Sequence, residues 1–369
     1  MRITRRLLMA ALAAGGLLPG RIAAQRRDLT LEELLALPMS AATLAGIRHA
    51  VGTPGMAVMW QAGAAPPVFL ADGLRAVGHD EAVTTRDRWH LGSITKSFTA
   101  TLFARAVEAG AIAWDTPLEA ALPDVPRRYR ALTAVDLLSH HAGLPKDIPL
   151  RPLFAMPQHG SGANEADLRE SRRRFGELAL KMKPVARPRT AYVYSNAGYV
   201  LVARMLEEAT GLSWEALLRR EVLEPLGLAS AGFGPPGSAD SYDQPWGHDE
   251  GQPVFADNPA AMAPAGGLHM TLADLAAWLR AHRDQPAFLK PESWRTLHTS
   301  RFGSQMALGW FVEPDGSLWH NGSNTRWYAE ACIEPRSGLI MAHCGNDMAL
   351  FHRQRALLPA LRQAAMMPR

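Results

Sequence analysis

Apolar residues recur at two periods along the chain, and the places where the period changes divide it into segments. Leu31 to Leu37 reads as a polar opening helix. Short apolar runs from Gly55 to Trp60 and from Val68 to Leu74 flank Gly63-Ala64-Ala65-Pro66-Pro67, a turn composition that predicts a hairpin. From Ser93 to Gly110 the spacing lengthens. Phe98, Leu102, Phe103, Ala106 and Val107 fall on helical spacing and a glycine closes the run, so a largely buried helix is expected. Between about Asp115 and Gly266 the pattern is of helices and long loops with Pro- and Arg-rich links, including a Gly/Pro/Asp stretch from Gly232 to Asn258. Thr271 to His282 is expected as an amphipathic helix capped by Thr271, with Asp274 at the third helical position. Past Gln305 the period returns to two: Met306 to Val312, Leu318 to Gly322, Trp327 to Ile333 and Leu339 to Cys344 read as strands, and Leu350 to Ala365 as a closing amphipathic helix. Strands at both ends with helices between predict an α+β fold. An antiparallel sheet domain is expected from residues 28–115 and 267–369, with a mainly helical domain, 116–266, inserted into it.

Composition sharpens this picture at the N-terminus. With 47% apolar and 20% charged residues among 369, the chain can bury a substantial core and is not disordered. Met1 to Arg6 is a basic head, Leu7 to Leu18 is apolar but too short to span a bilayer, and Ala23-Ala24 offers small residues for cleavage. Residues 1–24 therefore read as a signal peptide. The Arg5-Arg6 pair resembles a twin-arginine (Tat) signal, and an ordinary secretory (Sec) peptide is the alternative. Either way the protein is expected to be exported, to the periplasm or beyond, with no stable membrane span. Cleavage would remove Arg2, Arg5, Arg6 and Arg21 and no acid, taking the formal charge from +4 to 0, so nothing argues for a nucleic-acid partner.

The two cysteines, Cys332 and Cys344, flank a turn at Pro335-Arg336-Ser337-Gly338. If Glu334 faces Leu339, then Cys332 faces Met341 and Cys344 lies three residues further on, on the opposite face of the sheet. Two free, buried thiols are expected, with no disulfide. The 13 histidines show no metal-ligand spacing, and neither metal nor cofactor is expected.

The candidate chemistry begins in "HLGSITKSFTA", His90 to Ala100. Lysine is scarce here, five against 34 arginines, yet Lys96 stands three residues after Ser93, on the same face if a helix starts there. A serine at a helix N-terminus sits where backbone N–H groups favour developing negative charge, and a buried lysine either acts as a base or stays charged and activates one. Alone, the pair is also what a capping serine beside a surface lysine would give. The neighbouring segments change that balance. "LLSHHAGLP" (Leu137–Pro145), "YVYSNAGYVLVARMLEEATG" (Tyr192–Gly211), "PAGGLHMTLADLAAWL" (Pro264–Leu279), "ALGW" (Ala307–Trp310) and "WHNGSN" (Trp319–Asn324) follow in order. With the Ser93 segment they resemble the serine hydrolases related to class C β-lactamases and D,D-carboxypeptidases, over essentially the whole mature chain.

The resemblance implies a β-lactamase/transpeptidase-like fold with a five-stranded antiparallel sheet and assigns roles. Ser93 is the nucleophile that becomes acylated. Lys96 or Tyr194 is its base, since a phenol near pKa 10 serves only if a cation stabilises the phenolate. Asn196 accepts from Lys96 and donates to a substrate amide oxygen. The backbone N–H groups of Ser93 and Ser323 form the oxyanion hole, and Gly322, lacking Cβ, lets a substrate lie close. His320 departs from the pattern: class C β-lactamases carry lysine there, a permanent cation, whereas relatives with histidine include D,D-peptidases, D-aminopeptidases and esterases. The expected protein is an exported serine hydrolase of small amides or esters, acting on a small-molecule or peptide substrate. A β-lactamase, or a non-turnover penicillin-binding or sensor protein, is the alternative. His140 and His141 read as holding the turn signature, Trp310, Trp319 and Trp327 as core, and Arg172-Arg173-Arg174 as a solvated helix face. No G-x-S-x-G surrounds a serine. Specificity is assigned to the loops from Lys146 to Ala163 and from Ser238 to Asn258; oligomeric state is left open.

Overall fold

The computed structural model describes residues 29–146, 148, 156–159 and 163–367. The expected signal peptide and much of the Lys146–Ala163 loop lie outside them. The main sheet is antiparallel, with strands β1 Gly55–Ala62, β2 Val68–Gly73, β8 Phe311–Val312, β9 Leu318–Ser323, β10 Tyr328–Glu334 and β11 Leu339–Gly345. Their order across it is β2-β1-β11-β10-β9-β8. The chain's two ends meet in its middle, where Met56 pairs with Gly345 and Ala62 with Leu339.

The sheet has six strands rather than five because β8, only two residues long, adds an edge beside β9. The rest of the Met306–Val312 run is not strand. Ala307 N–H bonds the Trp310 carbonyl across a turn whose Gly309 has φ +84°, and a Cβ on that glycine would lie 2.7 Å from Ser97 Cα. Close packing against the nucleophile's helix takes precedence over the alternating pattern there.

Register decides what the sheet buries. On one face Met56, Val58, Trp60, Tyr328, Cys332 and Met341 pack with Leu44 and Ile47 of the helix Ala41–Val51 and with Leu357 and Leu361 of the closing helix Gln354–Met366. On the other, Ala57, Met59, Ala329, Ala331, Ile340, Ala342 and Cys344 join Phe98, Leu102 and Trp278, and this core runs on into the helical region through Leu137, Tyr199 and Trp214. Cys332 pairs with Met341 and Glu334 with Leu339, so the thiols fall on opposite faces, both free and buried, with burial raising their pKa values. The helix Ala41–Val51 escaped the periodic reading although its punctuation is present: Ser40 accepts from the Thr43 N–H and Gly52 closes it at φ +85°. Thr271 caps the helix Leu272–Asp284 as expected, accepting from the Asp274 N–H.

In a second sheet β3 Arg88–His90, β4 Gly232–Phe233 and β7 Leu268–Thr271 take the order β3-β7-β4, while β5 Gly247–Asp249 pairs with β6 Gln252–Val254 apart from it. Its strands are too short to have shown a period, yet β3 delivers the chain into Ser93. Among the helices between the sheet segments, Glu165–Lys181 overturns the expectation for Arg172. Only Arg173 and Arg174 are exposed, bonded to Glu170. Arg172 is fully buried, bonding Glu207 at 2.8 Å and Glu215 at 2.7 and 2.9 Å. It lies one third of a turn from its neighbours, enough to move it from solvent to core. Among the described residues no helix is long and apolar enough to cross a membrane.

Candidate active site

Ser93 sits in a 3-10 turn, Gly92–Ile94, that runs into the helix Thr95–Glu108. Its turn is tighter than the regular helical start expected, but Ser93 and Lys96 still share a face: Lys96 Nζ donates to Ser93 Oγ at 2.9 Å. The same nitrogen donates to Asn196 Oδ1 at 2.9 Å and to the Ala265 carbonyl at 2.6 Å. Lys96 is completely buried, and desolvation pulls its pKa well below the ordinary lysine value. The partner segment is held by the rows either side of Lys96: Thr99 Oγ1 donates to the Pro264 carbonyl, and Thr95 Oγ1 accepts from the Leu268 N–H.

Tyr194 reaches Ser93 from the loop before the helix Asn196–Thr210; the two hydroxyls are 2.6 Å apart. Burial pushes the phenol up to about 12, with the bond to Ser93 opposing the rise. The turn signature positions this loop. His140, at φ +60°, accepts the Ser195 N–H on Nδ1 at 3.0 Å and lays its ring 4.3 Å from that of Tyr194, while its carbonyl accepts from Val193 N–H. Arg189 closes the same turn on Asp136. The structural expectation for His140 and His141 holds, and it extends to fixing Tyr194.

His320 projects from β9 behind the cleft wall. Its Nδ1 bonds the Asn321 carbonyl and therefore carries the proton, leaving Nε2 as a buried acceptor with no partner among the described residues. Burial, reinforced by Lys96, pushes its pKa down to about 3, so it is neutral rather than partly charged at pH 7. Gly322, which lines the cleft, also makes a close backbone contact that the sequence reading did not give it. A Cβ there would lie 2.0 Å from the Leu91 carbonyl and 2.4 Å from Ser93 N, and one on Gly92 would lie 2.2 Å from Ser323 N. The glycines are required first for two backbones to touch, which brings the Ser93 and Ser323 amides side by side.

Ser93 opens into a cleft of about 330 Å³ lined also by Lys146, Tyr192, Phe311, Asn321, Tyr328 and Phe351. Trp310 and Trp327 are buried core; Trp319 is half-exposed and stacks on Phe311 at 4.6 Å. Sequence reasoning gave no part to the Ala265 carbonyl or to Asp257, His90 and Asn324. Burial would raise the Asp257 carboxyl, but His90, Asn324 and the Asn258 N–H outweigh it and hold the pKa below the usual value. Partners more than 60 residues apart leave no local signal.

The family profile described as Beta-lactamase matches residues 41–365. Penicillin-binding protein 4 of Amycolatopsis lactamdurans is 28% identical over 307 residues, covering 75% of this chain and 77% of that protein. A β-lactamase of Escherichia coli strain K12 is 25% identical over 289 residues, covering 74% and 70%. Among solved structures, the crystal structure of SurE superposes with a TM-score of 0.72 at 25% identity, covering 88% of this chain and 75% of SurE.

Proposed function

The chain belongs to the β-lactamase family of serine hydrolases, and from that premise we propose an exported enzyme that cleaves a small amide or ester through an acyl intermediate on Ser93. The observation that carries this is the pair of contacts on one oxygen: Ser93 Oγ lies 2.9 Å from Lys96 Nζ and 2.6 Å from the Tyr194 hydroxyl. The opposite pKa directions of these two neighbours, lysine down and tyrosine up, support Lys96 rather than Tyr194 as the base. Lys96 as a neutral amine takes the Ser93 proton as Oγ attacks the carbonyl. The Ser93 and Ser323 amides receive the oxyanion. The proton then reaches the departing nitrogen or oxygen through the Tyr194 hydroxyl. Water, deprotonated at the same pair, attacks the ester and frees Ser93. Asn196 fixes Lys96, and its amide N–H₂ remains for a substrate carbonyl.

A neutral His320 supplies no cation for a substrate carboxylate, which favours short esters and D-amino-acid amides over β-lactams; among the described residues, Lys146 is the cation lining the cleft. Export rests on the residue pattern of 1–24, and the sheet and helical domains keep the boundaries given above. The penicillin-binding relative keeps a second reading in play, acylation without turnover. The test is incubation of the mature protein with p-nitrophenyl esters, D-Ala-D-Ala peptides and β-lactams, beside Ser93→Ala. Hydrolysis of esters or D-peptides, lost in Ser93→Ala, is the expected result. A stable adduct without product establishes the binder, and labelling that survives Ser93→Ala overturns both.

A further inference from the structure

The Ser93 and Ser323 amides meet only because Gly92 and Gly322 put nothing between them, and Gly92 is held at φ +50°. With no side chain to set the gap, the separation of the two N–H groups depends on what grips the residues around them. On the Ser93 side, His90 Nδ1 accepts the Gly92 N–H at 3.2 Å, so the ring proton is on Nε2, which donates to Asp257 Oδ2 at 2.9 Å. On the Ser323 side, Asn324 Oδ1 accepts the N–H groups of Arg326 and Trp327, both at 3.2 Å, and its Nδ2 donates to Asp257 Oδ1 at 2.8 Å. The Trp327 ring stacks on His90, with centroids 5.5 Å apart. The Asn258 N–H also donates to Oδ1, at 2.7 Å. Three of these donors, His90 Nε2, Asn324 Nδ2 and the Asn258 N–H, converge on one buried carboxylate, and both of its oxygens are used.

We propose that Asp257 is a positioning residue for the oxyanion hole: through His90 on one side and Asn324 on the other, its carboxylate fixes the spacing between the Ser93 and Ser323 backbone amides. The inference rests on the acyl-enzyme reading above. Two donors must both lie within about 3 Å of one developing oxygen. A misplacement on the order of 1 Å costs about 10²-fold in rate. Asp257 never touches substrate. It acts by holding the two turns in one frame, and among the described residues it differs from the other carboxylates in joining the nucleophile turn to the β9 turn.

Asp257→Asn keeps the size and places an N–H where a donor already points, which breaks one arm. Asn324→Ala breaks the other and stands in should the first fail to fold. In both, kcat for a p-nitrophenyl ester should fall by about 10- to 100-fold with KM within about twofold. The affinity of a phenylboronic acid, whose tetrahedral adduct on Ser93 mimics the oxyanion, should fall by the same factor. Amide exchange should quicken in both 90–96 and 320–327. A merely structural role would lower the melting temperature while constants per titrated active site and boronate affinity stayed within twofold, and that outcome overturns the proposal. So does faster exchange confined to 255–259. Failure of the wild type to acylate Ser93 would sink the acyl-enzyme reading instead, and the exchange data would still decide whether Asp257 couples the two turns.

Discussion

Position 96 carries lysine because one nitrogen there has to meet three acceptors and also be able to give up a proton. Ser93 Oγ, Asn196 Oδ1 and the Ala265 carbonyl converge on Nζ within 2.6–2.9 Å. Arginine spreads its donors over a planar fork and keeps its proton at any accessible pH. Lys96→Arg should therefore slow acylation of Ser93 by about 10²–10⁴-fold, the usual contribution of a positioned base. Labelling by a fluorophosphonate measures this directly, and a rate within tenfold of wild type would remove Lys96 from the base role. Ser93 and Lys96 were legible together because they are three residues apart on one helix face. Tyr194, Asn196 and His320 were legible only through motif order, since about a hundred residues or more separate them from Ser93. The charge of His320 was not legible at all: it follows from burial beside Lys96, which no pattern of residue types records.

Elements announced themselves where turn residues or caps punctuate them. The hairpin of β1 and β2, the helix after Thr271 and the pairing of β10 with β11 all satisfied that condition. The helix Glu165–Lys181 shows its limit, because three consecutive arginines look alike in sequence while the helix turns one of them inward. Arg172 is bonded to Glu207 and Glu215, and burial alone would raise the Glu215 carboxyl, yet Arg172 and His159 hold it down to about 2. Arg172→Ala would leave two buried carboxylates short of their cation and should cost about 3–5 kcal/mol. Arg174→Ala, at an exposed i,i+4 pair with Glu170, should stay within about 0.5 kcal/mol. Chemical denaturation of the two variants compares them. Equal losses would mean that the Arg172 cluster adds nothing specific to the packing of this helix on Asn196–Thr210.

At the scale of the molecule, one sheet made from both ends of the chain and one core shared with the helices hold several buried or half-buried histidines as neutral rings. His140, His269, His282, His298 and His320 all have pKa values below the ordinary 6.5, with desolvation as the leading cause in each. His269 and His298 are held near 4 and His320 near 3. Above 6.5 both folded and unfolded chains carry these rings neutral, and stability does not depend on them. As pH falls below 6.5 the unfolded chain takes up protons that the folded one refuses, so stability is lost progressively down to the folded values. A ring held near 4 gives up about 3 kcal/mol by the time pH reaches that value. The melting temperature should therefore be level from pH 8 to 7 and fall steeply between 6.5 and 4. His298→Gln, which removes one titrating ring from the His282–His298 pair at 2.8 Å, should make the fall shallower than in the wild type. A midpoint that stays flat down to pH 5 would mean that these rings are protonated in the folded protein, and the neutral His320 behind the cleft would have to be abandoned with them.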